Sequence, residues 1–247
     1  MKYSPIVAGI KFAIHNEKDC IEKHLLRGKP WNKEMIKYII HIIKKRKLSH
    51  FLNVGCHIGS VCLPVSLHIN KVTAVEAFPE TYEHLCENIQ LNNISNINTH
   101  NIALGNCNET IYFMTKDKIC PVEKINRLCN NSGGMHVFTE NDIKNNIRSA
   151  NLTDKIIQNK MTTLDNLDID KFDIMLIDIE GCEYDFMLGA KENIKKYKPI
   201  IIVEIWDNNK RNRENMTSSR EEVVNYIESL NYRLVKNMED DFIFFPC

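Results

Sequence analysis

FLNVGCHIGSVCLPVSL, Phe51 to Leu67, followed by KVTAVEAF, Lys71 to Phe78, reads as strand, turn, helix and second strand. In a doubly wound α/β sheet the first strand turns sharply into its helix, and glycine takes the backbone such a turn needs. Gly55 and Gly59 stand at that turn. Glu76 lies at the tip of the second strand, roughly 20 positions on, where an acid accepts hydrogen bonds from a ribose. Glycines at turns are often purely structural; the pair together with Glu76 predicts a nucleoside-cofactor site. A dinucleotide fingerprint needs G-x-G-x-x-G, so that pyrophosphate can sit on the helix N-terminus. Here the motif is G-C-H-I-G with no third glycine before the helix. That spacing suits S-adenosylmethionine better than NAD.

Outward from this stretch, strand and helix alternate. Phe51 to Gly55, Val72 to Glu76 and Ile97 to Leu104 read as strands, with helices over Val61 to Leu67 and Glu80 to Leu91. Such alternation predicts a parallel sheet. Order returns at Met161 to Asp165, and Phe172 to Ile179 is a buried strand ending in carboxylates. A helix over Glu183 to Tyr197, a strand over Pro199 to Ile205 and a helix over Arg220 to Leu230 follow. Tyr232 to Val235 and Phe242 to Phe245 form a terminal hairpin across Glu239-Asp240-Asp241. A closing hairpin on a mostly parallel sheet is the methyltransferase variant of this architecture. The expected fold is therefore α/β and doubly wound, with a mostly parallel seven-stranded sheet.

Thr115 to Ile147 is irregular and polar, with Pro121, Gly133 and Gly134, and reads as a long lid or substrate loop. Upstream, Ile6 to Ile14 looks like an edge strand or hairpin. Trp31 to Lys47 places Ile36, Ile39, Ile40 and Ile43 on one helical face. Residues 1–48 are expected to form a small N-terminal cap on a catalytic domain spanning residues 49–247.

With 247 residues, 43% hydrophobic and 26% charged, the chain can bury one sizeable core. Lys+Arg and Asp+Glu both number 32, so no global field draws it to nucleic acid or anionic lipid. Lys44-Lys45-Arg46-Lys47 ends a helical run, where cations complement the helix dipole and stay solvated. Nine cysteines, an odd number without a C-x-x-C pair, signal neither a disulfide framework nor a zinc ribbon, and a reducing cytosol is the simplest reading. The apolar N-terminal stretch is broken by Lys11, and nothing approaches the roughly 18 consecutive apolar residues of a membrane span. A soluble, untargeted, cytoplasmic protein is expected.

Asp178, Glu180 and Glu183 in LIDIEGCEYD stand at the carboxyl end of the central strand, where open α/β sheets bind ligands. Desolvation there raises carboxyl pKa values and can create a general base, the role expected of Asp178. Glu183 reads as a cap on the following helix.

The chain resembles the FkbM family of methyltransferases from Phe51 to the C-terminus. The resemblance rests on FLNVGCHIGS, VEAFPE, ENIQLNN with Asn92, and NIALG around Ala103 to Gly105. It rests further on TLDNL from Thr163, IDIEGCE from Ile177, LGA from Leu188 and KPIIIVEI from Lys198, in family order and spacing. It implies an S-adenosylmethionine-dependent transferase that O-methylates a hydroxyl of a sugar, glycan or small metabolite. The implied cofactor contacts are Gly55, Cys56, His57, Gly59, Glu76 and Ala77, with Asn53, Ala103 and Asp178 completing the expected set. Asn53 stands where an Asp is usual, His57 where an Asn is usual, and Leu176 replaces a frequent Lys.

A hydroxyl acceptor needs alignment and a base. Asp178 is the first candidate; His136, in GGMHVF, is the second, because its ordinary pKa suits physiological pH. Glu204 and Asp207, at the end of the neighbouring strand, can bond sugar hydroxyls. With Asp178 they can alternatively offer oxygens to Mg²⁺ or a similar hard cation, although no metal is assigned. Three rivals stay open. A nucleic-acid or peptide methyltransferase is one, against which stands the lack of an Asp/Asn-Pro-Pro-aromatic tetrapeptide. A catalytically silent cofactor-fold module and an NAD-dependent oxidoreductase are the others.

Overall fold

The chain's most apolar runs become the centre of one sheet, and everything around them is placed by which face of that sheet it covers. A computed structural model describes residues 2–114, 138–139, 156–213, 216 and 218–247. The N-terminal flank comprises β1 (Lys2–Tyr3), β2 (Ala13–Ile14), α1 (Cys20–Leu26) and α2 (Lys33–Arg46). Then come β3 (His50–Val54), α3 (Cys62–Ser66), β4 (Lys71–Val75), α4 (Pro79–Leu91) and β5 (Ile97–His100). A second group contains β6 (Ala103–Leu104), β7 (Glu109–Met114), β8 (Phe138–Thr139) and β9 (Ile156–Thr162). The chain closes with β10 (Ile174–Ile177), α5 (Glu183–Gly189), α6 (Lys191–Tyr197), β11 (Ile200–Glu204), α7 (Asn208–Arg213), α8 (Arg220–Ser229), β12 (Tyr232–Met238) and β13 (Asp241–Pro246).

The main sheet has seven strands in the order β12-β13-β11-β10-β3-β4-β5. The five strands from β11 to β5 are parallel, and β12 and β13 form the antiparallel hairpin at the edge. This is the doubly wound, mostly parallel sheet expected from the alternation. Because β3 lies centrally, the chain winds outward through β4 and β5 on one side and β10 and β11 on the other. That reversal creates a switch point between β3 and β10.

Alternate residues of each strand separate into two cores. Phe51, Val72, Ala74, Ile174, Leu176, Ile200 and Ile202 pack with Val7, Ile10, Phe12 and the buried face of α2. Leu52, Val54, Val75, Met175, Ile177, Ile201 and Val203 pack with Phe186, Met187, Val223 and Ile227 of α5 and α8. The N-terminal flank thus shares one hydrophobic cluster with the sheet. On α2 the buried residues are Met35, Ile36, Ile39, Ile42 and Ile43, whereas Ile40, expected on that face, is only partly buried. The basic run that ends α2 is exposed.

Three expected elements divide. The hairpin read at Ile6 to Ile14 has its paired strands further out, Lys2–Tyr3 with Ala13–Ile14, closed by a bridge between Val7 and Ile10. The strand read as Ile97 to Leu104 breaks after His100, because Asn101 turns aside to donate to the Glu76 carbonyl at 2.9 Å. Ala103–Leu104 then joins a second, four-stranded sheet of order β6-β9-β7-β8. The helix read as Glu183 to Tyr197 breaks at Ala190. There Asp165 accepts from Glu192 N at 3.0 Å and Asn193 N at 2.8 Å, starting a new helix. The expected lid over Thr115 to Ile147 lies outside the described residues apart from Phe138–Thr139, whose backbone pairs with Ile111 and Tyr112.

Candidate functional site

Strand register builds the site. Val54 pairs with Val75 and with Ile177, Ile177 pairs with Val203, and Glu204 pairs with Asp241. The next residue along each parallel strand therefore stands at one level, so that Glu76, Gly55, Asp178, Glu204 and Asp241 form a row across the carboxyl edge of the sheet. Beneath it run Ala74, Asn53, Leu176, Ile202 and Ile243. The row crosses the switch point, where doubly wound sheets open a ligand crevice.

Gly55 has φ +75, and a Cβ on it would lie 1.8 Å from the backbone carbonyl of Asp178. A backbone atom at that distance cannot yield, so the glycine is demanded by the approach of β10 to β3. The loop's N–H groups are then largely spent within the protein. Gly55 N and Cys56 N donate to the Val75 carbonyl at 2.9 and 3.1 Å, and Gly59 N donates to the Cys56 carbonyl at 2.9 Å. His57 N donates to Glu76 Oε2 at 2.8 Å. A pyrophosphate cradle needs such donors free to face the ligand; this loop turns them inward.

Glu76 holds its orientation through that bond and a second from Phe78 N to Oε1 at 2.9 Å. With the Ala77 N–H also directed at the carboxylate, the acid is held as an acceptor in one orientation. Burial raises the proton affinity of Glu76, and the N–H groups of Phe78, His57 and Ala77 draw it back. The Ala77 carbonyl accepts from Asn159 Nδ2 at 2.6 Å and Asn101 Nδ2 at 3.3 Å, which ties the second sheet to the crevice. Ala103 packs with Phe78, Ile111 and Phe113 in the small cluster behind it. Cys56 is buried in the core beside Cys62, and burial holds its thiol well above the ordinary value.

His57 takes a left-handed backbone, φ 50. Burial pushes its pKa down to about 4, and the charges that bear on it are those of Asp19, which caps α1, and His84 on α4. Its ring therefore faces the seam where α4 meets the N-terminal flank, and its backbone N–H reaches Glu76. Asn53 is 1% exposed, and its Oδ1 has no hydrogen-bond partner. An Asp here would place a charge among Ala74, Leu176 and their apolar neighbours at a desolvation cost that Asn avoids. Leu176, 4% exposed, belongs to the same apolar layer.

Asp178 and Glu204 are the acids brought together most closely. Burial, the charges of Glu204, Glu180 and Asp241, and a carboxyl–carboxyl hydrogen bond with Glu204 hold Asp178 well above the carboxylate range. Glu204 also accepts from Trp206 Nε1 at 2.9 Å. Asp241 joins them from β13, the antiparallel strand next to β11, pushed up to about 7 by burial and by the Glu204, Asp240 and Glu239 charges. Sequence reading placed Asp241 in a hairpin turn; only its pairing opposite Glu204 shows that it belongs to the row.

Two other acids have structural work. Asp207 accepts from Lys210 N at 2.9 Å, starting α7, instead of joining Asp178 and Glu204. Glu183 is 2% exposed and bonds Arg211 Nη1 at 2.9 Å as well as Gly181 N at 2.6 Å. It is thus half of a buried ion pair and not merely a helix cap. His136 lies outside the described residues. Asn92, singled out in the sequence, binds both backbone groups of Lys11, accepting from its N–H at 2.8 Å and donating to its carbonyl at 2.7 Å. Neighbouring Asn88 accepts from Ala13 N at 2.8 Å and donates to the Ile58 carbonyl at 3.0 Å, joining the flank to the glycine loop.

A central first strand, a switch-point crevice and a terminal antiparallel hairpin define the Rossmann-like methyltransferase fold. Residues 53–234 match the Methyltransferase FkbM domain, and the chain belongs to that family. The structure is similar to a methyltransferase FkbM from Methylobacillus flagellatus KT, with TM-score 0.50 and 14% identity over 91% of this chain and 52% of that one. The chain thus spans about half the length of that relative. It is also similar to the N-methyltransferase NodS from Bradyrhizobium japonicum WM9, with TM-score 0.50 and 11% identity over 88% of this chain and 98% of that one. At these identities the likeness is one of fold. No curated protein sequence matches the chain significantly. Among the described residues, no helix is long and apolar enough to cross a membrane.

Proposed function

We propose that the chain is an S-adenosylmethionine-dependent methyltransferase whose acceptor is a hydroxyl of a sugar, glycan or small metabolite. The observation that carries this reading is the acidic row at the switch point, set above a glycine loop whose N–H groups turn inward. Such a site favours a cationic nucleoside over a pyrophosphate-bearing one. Glu76 holds the ribose, and the backbone of Gly55 to Gly59 forms the wall beside it. The buried, unbonded Asn53 Oδ1 beneath the row offers an acceptor to a donor group of the ligand. When bound, S-adenosylmethionine supplies an electrophilic sulfonium methyl whose positive charge suits the row.

Asp178 and Glu204 act as a pair that takes up the acceptor's proton. The high proton affinity of Asp178 makes it a strong base once ionised. Turnover therefore rises with pH as Asp178 loses its own proton. Hydroxyl acceptors are favoured because they need such a base, whereas an amine already carries its lone pair at neutral pH when unprotonated.

The cofactor reading is tested by thermal melting. S-adenosylhomocysteine is expected to stabilise the protein by about 2.7 kcal/mol at a hundredfold excess over Kd, and NAD not at all. A shift with NAD and none with S-adenosylhomocysteine overturns it. Methyl transfer to a panel of sugars, nucleotide sugars, amines, peptides and RNA then tests the acceptor class, and turnover confined to amines, peptides or RNA rejects the hydroxyl.

A further inference from the structure

The seam between the N-terminal flank and α4 that the His57 ring faces carries a second group of ligating side chains, separate from the acidic row. His15, His84 and Glu87 each bring one potential ligand atom within 4.8 Å of the others. His15 follows β2, while His84 and Glu87 are three apart on α4 and so share one helical face. His15 Nε2 lies 2.7 Å from Glu87 Oε2. His84 Nε2 lies 2.9 Å from the Ala13 carbonyl, which can only accept. The proton of a neutral His84 is therefore on Nε2 and its lone pair on Nδ1.

That arrangement has the form of a metal ligand held by its outer shell, in which a histidine donates its far N–H to a backbone carbonyl. Two imidazoles and a carboxylate are a zinc-type donor set, whereas magnesium and calcium take oxygens. His15 is exposed, which leaves a fourth position open to water.

We propose that His15, His84 and Glu87 bind one zinc-class divalent transition-metal ion, which clips the N-terminal hairpin to α4. The rings of His15 and His84 are stacked, with centroids 3.8 Å apart and planes at 6°. Parallel rings cannot both direct in-plane lone pairs at one ion. The stack is thus the metal-free packing, and His15 swings out of it on binding. That swing also draws the 4.8 Å spread in towards the roughly 3.3 Å separation set by tetrahedral bonds of about 2.0–2.1 Å. The ion would sit on the helix face whose Asn88 already joins the hairpin to the glycine loop, so its binding stiffens the wall behind His57.

The test is titration of the full chain with cobalt(II), followed by visible absorption, with zinc in competition. One equivalent is expected to give tetrahedral d–d bands without a thiolate charge-transfer band, and zinc is expected to displace it and raise the melting temperature. His15→Ala and Glu87→Gln should each weaken binding at least about tenfold, the scale on which even outer-shell losses register. Melting each variant without metal separates loss of the site from loss of the fold. The proposal is overturned by a thiolate band, by no saturable binding, or by undiminished binding in both folded variants.

Discussion

Asp178 and Glu183 stand a few residues apart after the same strand, both withdrawn from bulk water, and the protein treats them oppositely. Glu183 faces Arg211, itself 1% exposed, whose Nε and Nη2 donate to the Ser218 carbonyl and Oγ at 2.7 Å each. Burial pushes Glu183 up, but Arg211 and the Gly181 N–H draw it back. Asp178 faces Glu204, Glu180 and Asp241, whose negative charges add to the effect of burial. A buried charge whose partner is supplied by the fold is structure; one whose compensation must come from a proton or a ligand is available for chemistry.

The largest expected effect falls on the compensated acid. Glu183→Gln leaves the Arg211 charge buried without its counter-ion, and stability should drop by about 3–5 kcal/mol in a denaturant melt. A loss below 1 kcal/mol, with the fold intact, would erase the contrast. Next comes the uncompensated acid. Asp178→Asn keeps the size of the side chain and removes the base, so turnover should fall on the order of a hundredfold while cofactor affinity changes little. Its stability should rise at alkaline pH, because a carboxyl with raised folded pKa contributes stability at low pH that is lost as pH rises. Near-normal turnover, where chemistry limits the rate, would move the base elsewhere, with His136 the next residue to change.

Asp241 sharpens the comparison at the smallest scale. Its folded pKa is raised from 3.8 to about 7, so its contribution is complete below its unfolded value and is lost as pH climbs through that window. Asp241→Asn should therefore flatten the fall in stability between those two values and gain about 1–2 kcal/mol at pH 8 after allowance for partial exposure. Chemical denaturation at a series of pH values reads this directly, and an unchanged slope removes Asp241 from the row's electrostatics.

Much of the architecture was legible because it depends on periodicity and on residues with few conformational alternatives. Apolar runs bounded by glycine and proline located the parallel strands. Ser219 and Glu222 fix the start of α8 by mutual bonds, Ser219 N to Glu222 Oε2 at 2.7 Å and Glu222 N to Ser219 Oγ at 3.2 Å, as a local motif does. The breaks at Asn101 and Ala190 were hidden because their causes are distant in sequence: the Glu76 carbonyl for one and Asp165 for the other.

The same division runs through the site. Local sequence alone determined a glycine turn, an acid at the tip of the strand that follows it and a later strand ending in carboxylates, since each depends on backbone geometry within its own strand and turn. That β10 lies against β3, and so brings them to one switch point, is tertiary. Tertiary structure decided which acids act together. Glu204 and Asp207 look equivalent along the chain, yet parallel register sets Glu204 beside Asp178, while Asp207 spends its carboxylate on the Lys210 N–H. Asp241 reaches the row from the antiparallel strand β13, and Arg211 reaches Glu183 from α7, which follows β11. Proton affinity is set by burial and by charges within a few ångströms, and those neighbours come from segments that only folding brings together.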